Sequence, residues 1–277
     1  MELLNISPVA ILPRTMWVAY RALHATPELA KQELEDAVCP LAMRDETPGK
    51  GAHVQRAVDA LLKFGLVDVA QQGESEGPML SASVDGSLES FTRRLREGVL
   101  GSSVTDEPMP QDLTRAVVWL LSQSPLDAYD RTRADQELGG FFTNDTRWNT
   151  FRYWATFLGF GREWPLEGGG LSVDPTPAVK DALDSSKRGH LATGTPVEAQ
   201  DLVRHIKSEL PVFAHVDTES VETIPASLAY AFRSLQQSGR LRFENRSDSR
   251  AFIRLPAGAG AADEALFSHV TIFQVGN

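Results

Sequence analysis

Gly49–Val84 reads GKGAHVQRAVDALLKFGLVDVAQQGESEGPMLSASV. Val54, Val58, Leu61 and Leu62 recur at i, i+4, i+7 and i+8, which puts them on one face of an amphipathic helix. Gly65 ends that helix, since glycine reaches the positive φ of a C′ position without a Cβ clash. Leu66–Val69 then reads as a strand, Gly73–Pro78 as a polar turn and Met79–Val84 as a returning strand. Helix, glycine stop, strand, wing and strand make the ending of a winged-helix module.

Upstream, Pro13–Ala25 predicts a first helix with proline in its first turn, where the missing N–H has no intrahelical partner to lose. Thr26-Pro27 predicts the start of a second helix, PELAKQELEDAV, closed before Pro40. Downstream the pattern returns. After a helix over Leu88–Glu97, the stretch GSSVTDEPMP (101–110) has linker composition. The next helix carries Leu113, Val117, Leu120 and Leu121 on one face, and a shorter helix is expected over Arg133–Phe141. Asn144-Asp145 can cap a third helix whose Phe151, Trp154, Ala155 and Leu158 repeat the apolar spacing. Gly168-Gly169-Gly170 reads as its wing; a phosphate loop would need a helix behind it to supply the dipole.

A third copy is expected after Gly189. Thr195-Pro196 opens the helix VEAQDLVRHIKSEL, and Pro225 opens a second with Leu228, Phe232 and Leu235 at i, i+4 and i+7. Arg240–Arg246 and Arg250–Leu255 read as its two wing strands, Ala257–Asp263 as linker and FSHVTIF as a last short strand. The expected fold class is therefore mainly α with small antiparallel β-wings, as tandem winged-helix domains. Unit 1 spans residues 1–100, unit 2 spans 111–188 and a winged-helix-like unit 3 spans 189–277.

Composition bounds the function. The formal net charge of −10 argues against a protein that coats DNA nonspecifically, because phosphate neutralisation supplies most of that affinity. No apolar run is long enough to span a bilayer and no basic start precedes the first apolar segment, so a cytoplasmic location is expected. The lone Cys39 reads as a small buried residue. No Walker, dinucleotide, HExxH or GxSxG motif is present, and the six histidines lack metal-ligand spacing. His215 and Asp217 share one side of an extended segment, with no nucleophile near in sequence. The expectation is a protein that is not an enzyme and needs no cofactor or metal.

The candidate sites are DNA-binding ones. Lys50, His53 and Arg56 lie off the apolar stripe of the first reading helix, and Arg147 and Arg152 lie on the second. That second helix also carries Trp148, Phe151, Tyr153, Trp154 and Phe157, more aromatic surface than one stripe needs, which suits packing on a neighbouring unit or partner protein. Between Ala226 and Pro256, Arg233, Arg240, Arg242, Arg246, Arg250 and Arg254 face only Glu244 and Asp248, a local balance of +4. Arginine suits bidentate phosphate or guanine contact. The same residues would also serve as a solvated hairpin that discourages edge pairing.

The phrases LLNISPVAILPRTMWVAYRAL, QDLTRAVVWLLSQSPLDAY, WATFLGFG and FSHVTIF resemble the DpdG family, found in bacterial clusters that insert 7-deazaguanine bases into DNA and restrict DNA lacking them. The resemblance covers most of the chain and supplies no catalytic residues. It implies an accessory role in phage defence beside helicase-like and nuclease-like subunits. Double-stranded DNA and other subunits of a defence complex are thus the expected partners, with no membrane; a scaffold that binds only protein is the alternative.

Overall fold

The structure, a computed structural model, describes residues 3–4, 11–27, 29–44, 51–70, 79–83, 85–101, 111–164, 170–184, 191–218, 222–249, 251–257 and 264–273. The chain divides into two compact units: Met1–Thr114 with Asn144–Leu158, and Arg115–Thr143 with Gly159–Asn277.

The first unit opens with α1 (Pro13–Ala25), β1 (Leu29–Ala30), α2 (Lys31–Val38), α3 (Leu41–Arg44), α4 (Ala52–Lys63), β2 (Val67–Ala70), β3 (Met79–Ala82) and α5 (Leu88–Leu100). On α4 the apolar stripe is buried at Val54, Val58 and Leu61, against α1 and α2. The expected start of α2 is corrected: Leu29 and Ala30 are extended and pair antiparallel with Leu80 and Met79. The helix begins at Lys31, where the Glu33 carboxylate accepts the Ala30 N–H at 2.9 Å. The returning strand β3 therefore lies between β1 and β2. The turn expected over Gly73–Pro78 lies outside the described residues.

Next come α6 (Gln111–Leu121), α7 (Arg131–Glu137), α8 (Asp145–Phe157), β4 (Gly161–Glu163) and β5 (Leu171–Val173). The α7 helix is shorter than expected, ending ahead of the positive-φ Gly139 and Gly140. The Asn144 side chain caps α8 by accepting the Arg147 N–H at 2.9 Å. Trp148, Phe151 and Trp154 of α8 are buried within the first unit. Trp154 Nε1 donates to the Ile11 carbonyl at 2.9 Å, and Phe157 sits edge-on to Phe91 of α5. The aromatic excess on this helix is thereby accounted for by packing. In the second unit, Tyr129 bridges Leu171 through two backbone hydrogen bonds of 2.9 and 2.8 Å, so β5 lies between Tyr129 and β4.

The second unit continues with α9 (Thr176–Asp184), β6 (Pro196–Glu198), α10 (Ala199–Glu209), a 3-10 turn (Pro211–His215), α11 (Ala226–Gln237), β7 (Leu241–Glu244), β8 (Ile253–Leu255), β9 (Ala265–Phe267) and β10 (His269–Ile272). Two expectations are corrected here. Pro196–Glu198 is a strand, so α10 starts at Ala199. The wing partner of β7 is β10, not Arg250–Leu255: Val270 pairs with Phe243 and with Val197, placing β10 between β6 and β7. The apolar Val270 and Ile272 bury under this pairing, whereas β8 forms a separate hairpin with β9. Helix α9 packs on α10 and α11 rather than trailing the preceding wing.

Helices α4 and α11 end alike. Leu66 N–H bonds Leu61 carbonyl (2.9 Å) and Gly65 N–H bonds Leu62 (3.1 Å); Arg240 bonds Leu235 (2.8 Å) and Gly239 bonds Gln236 (3.0 Å). Gly65 and Gly239 have φ of 64° and 74°. A Cβ on Gly239 meets nothing within 4 Å, so Gly239→Ala isolates the backbone term and should cost about 1 kcal/mol. A Cβ on Gly98 would lie 2.7 Å from the Phe64 carbonyl oxygen, so Gly98→Ala should cost about 1–3 kcal/mol through overpacking. Urea denaturation of the two variants checks both.

Candidate nucleic-acid interface

The arginines of the last module separate into internal and outward groups. Arg233 is buried on α11 and donates to the carbonyls of Pro256 (2.9 Å) and Leu255 (3.4 Å). Burial draws its guanidinium below the ordinary arginine value. Arg240 is also buried and pairs with Asp184 of α9. Both are therefore fastened inside the module.

Arg242, Arg246 and Arg254 face outward, each with an acidic partner. Arg242 and Arg246 share Glu244, at 3.0 and 3.3 Å, and Arg254 pairs with Glu264 at 2.8 Å. Burial favours the neutral form of Glu244, but hydrogen bonds from Arg242 and Arg246 outweigh it and hold the carboxyl below its ordinary range. The Arg242 guanidinium also lies 5.6 Å from the centre of the Phe273 ring. Arg250 lies outside the described residues. The +4 counted along the sequence is thus not a free cationic patch.

The reading helices differ in what they offer. On α4, His53 and Arg56 are half-buried, Gln55 and Asp59 are exposed, and Asp59 forms an ion pair with Lys31 at 2.5 Å. Lys50 lies outside the described residues. On α8, Arg147 and Arg152 are half-buried, and Arg152 donates to Asn149 at 3.3 Å. Tyr153 is 48% exposed on the same helix. The α11 helix is an exception to the expected outward display, because Ser227, Leu228, Ala229, Ala231, Phe232, Arg233 and Leu235 are all buried. Ser227 Oγ even donates to the Leu121 carbonyl at 2.5 Å. His215 and Asp217 are both exposed.

A family model described as DpdG-like matches residues 1–249. The chain belongs to the DpdG-like family. No curated protein and no solved structure matches it. Membership associates the DpdG-like chain with the Dpd system of 7-deazaguanine modification of DNA. Among the described residues, no group of three or more His, Cys, Asp or Glu side chains is placed to hold a metal ion, and no helix is long and apolar enough to cross a membrane.

Two features of the DpdG-like chain escaped the sequence. One is an open polar cleft of about 390 Å³ lined by Glu198, Arg246, Asp248, Ser249, Ser268 and His269, among others. Its walls come from β6, β10 and the loop after β7, so only the β6–β10–β7 pairing assembles it. The other is a network in which Glu137 accepts from Trp119 Nε1 (2.9 Å) and Arg133 Nε (3.0 Å) while Arg133 lies 4.3 Å over the Tyr129 ring. Burial and the Asp127 charge raise the Tyr129 pKa. Burial opposes ionisation of Glu137 too, but hydrogen bonds from Arg133 and Trp119 hold its carboxyl below the ordinary range.

Two outcomes are expected. Arg240→Ala should lower stability by about 2 kcal/mol, since it removes a buried guanidinium and leaves Asp184 only the more exposed Lys180, while Arg242→Ala should change it by less than about 0.5 kcal/mol; chemical denaturation tells them apart. Because the folded value of Glu137 is depressed, its stabilisation is full at neutral pH and fades as pH falls below the ordinary glutamate range of about 4.3. Thermal melts should therefore separate wild type from Glu137→Gln at neutral pH and converge in strong acid.

Proposed function

We propose that this chain is a non-enzymatic, tandem winged-helix accessory protein of the Dpd system that engages DNA and other subunits of the complex. The observation that carries the reading is a strand order met three times: β1-β3-β2, Tyr129-β5-β4 and β6-β10-β7, each with the last strand in the middle. In chain order a helix, an extended segment, one or more helices and two paired strands recur each time, with α1, α6 and α9 as first helices and α4, α8 and α11 as last; in the third copy the β8–β9 hairpin is inserted between the two paired strands. Such modules commonly serve nucleic-acid recognition, with the last helix and the wing as contact elements.

Here the modules have unequal parts. Most of α11 is buried, with no cationic side chain on its outward side, and the aromatic side of α8 is used in packing, which leaves α4, the outer side of α8 and the outward arginines of the last sheet. The acidic partners of those arginines and the net charge of −10 favour a second reading, in which the modules hold other subunits without touching DNA themselves.

Fluorescence anisotropy of a labelled duplex titrated with the protein at increasing salt separates the two. DNA contact predicts binding at about 50 mM salt that weakens steeply by about 200 mM, with a salt slope reduced by about three units in the Arg242→Ala, Arg246→Ala, Arg254→Ala triple variant. No binding at low salt would leave the subunit-docking reading, for which co-purification of neighbouring gene products is the measurement.

A further inference from the structure

We propose that Arg242 and Arg246 form a phosphodiester-binding site for duplex DNA on the outer face of β7, and that Glu244 occupies it in the free protein as an internal stand-in for the phosphate. The proposal rests on the DNA-contact part of the function above and names the group that regulates it.

The geometry is that of one anion between two guanidiniums. Glu244 Oε1 lies 3.0 Å from Arg242 Nη2, and Glu244 Oε2 lies 3.3 Å from Arg246 Nη2. A phosphodiester presents two non-bridging oxygens in the same way, and arginine is the side chain whose fork matches them. Arg242 and Glu244 are neighbours on one side of the strand because β7 alternates: Leu241 is buried and Phe243 meets Phe232 and Phe267 on the other side.

Neither arginine depends on the carboxylate alone for its placement. The Arg242 guanidinium lies over Phe273, and the backbone from which the Arg246 side chain projects is fixed by its N–H donating to Ser268 Oγ at 2.9 Å. Glu244, by contrast, has one further side-chain bond among those described, a long one of 3.5 Å from Thr271 Oγ1. Displacing its carboxylate would leave the Arg242 guanidinium on Phe273 and the Arg246 side chain on a fixed backbone, free to turn to a phosphate.

The cluster is also reachable. The Arg242, Arg246 and Glu244 side chains are 63%, 42% and 28% exposed, so the ion pairs are solvated and individually weak. A duplex phosphate brings counterion release that a lone carboxylate does not, and can take its place. Glu244 is ionised at neutral pH, so an approaching phosphate meets a full negative charge until the side chain swings away. Asp248 and Glu198, which line the adjoining cleft with Arg246 and His269, add to that local negative field.

Glu244→Gln keeps the shape and removes the charge. With a short labelled duplex, the variant should bind about three- to tenfold more tightly than wild type, with a salt slope steeper by about one to two units. Adding Arg242→Ala and Arg246→Ala to Glu244→Gln should abolish the gain, and unchanged thermal melting of Glu244→Gln would exclude a folding defect. Binding by wild type that Glu244→Gln does not strengthen would overturn the gate and leave the DNA-contact reading standing. A gain that survives loss of both arginines would place the phosphate elsewhere and overturn the site. Failure of both proteins to bind at low salt would remove the site and the DNA-contact reading together.

Discussion

The structure depends on one pairing repeated along the chain: the last strand of each module enters between an earlier strand and its own hairpin partner. β10 meets Val197 on one side and Phe243 on the other, and β3 likewise meets Leu29 and Val69. In the first and last of these sheets the insertion closes a loop that includes the intervening helices, although no strand in them is longer than four residues and β1 has only two. A hairpin alone would be marginal in water; the third strand and the helices behind it supply the missing burial. Beside β5 the outer strand is a single residue, Tyr129, whose ring packs edge-on to Trp119 beneath the Arg133 guanidinium.

That closure decides which surfaces remain for function. On α11 the polar side chains Ser227 and Arg233 turn inward to backbone carbonyls, and only a narrow side that includes Ala226, Tyr230, Ser234 and Gln237 is half-buried or exposed. The α8 helix is intermediate. Its indole at Trp154 satisfies the Ile11 carbonyl within the first unit, while Asn149 and Tyr153 stay exposed on the opposite side. The helices α4, α8 and α11 thus differ in how much of their surface is used in internal packing.

Periodicity made the helices legible. Val54, Val58 and Leu61, then Phe151, Trp154 and Ala155, then Leu228, Phe232 and Leu235 are buried as their spacing requires, because a helical stripe is a local property of sequence. The glycine stops at Gly65 and Gly239 were legible for the same reason. The short first strands were not. Leu29-Ala30 and Pro196–Glu198 are too brief to show alternation, and their extended state is imposed by β3 and β10 far along the chain. Charge was misleading in a related way. Arg242 and Glu244 could be seen to share a side of the strand, but Asp184, 56 residues before Arg240, gave no local sign that it would claim that guanidinium.

The paired arginines and the acidic total bear on the same physical question, namely how a chain of net charge −10 could approach a polyanion. Beyond the Debye length of about 8 Å at physiological salt, the whole-chain charge is largely screened, so contact is governed by what lies within that distance of the phosphates. On the outer face of β7 that neighbourhood holds two guanidiniums that share the Glu244 carboxylate, with Glu198 and Asp248 lining the adjoining cleft, so the local field is close to balanced rather than strongly of one sign. A surface tuned in this way suits a subunit brought to DNA by partners better than one that must find DNA alone. Diffusional steering rewards a large field of one sign, whereas a protein already held near the duplex needs only a few well-placed groups.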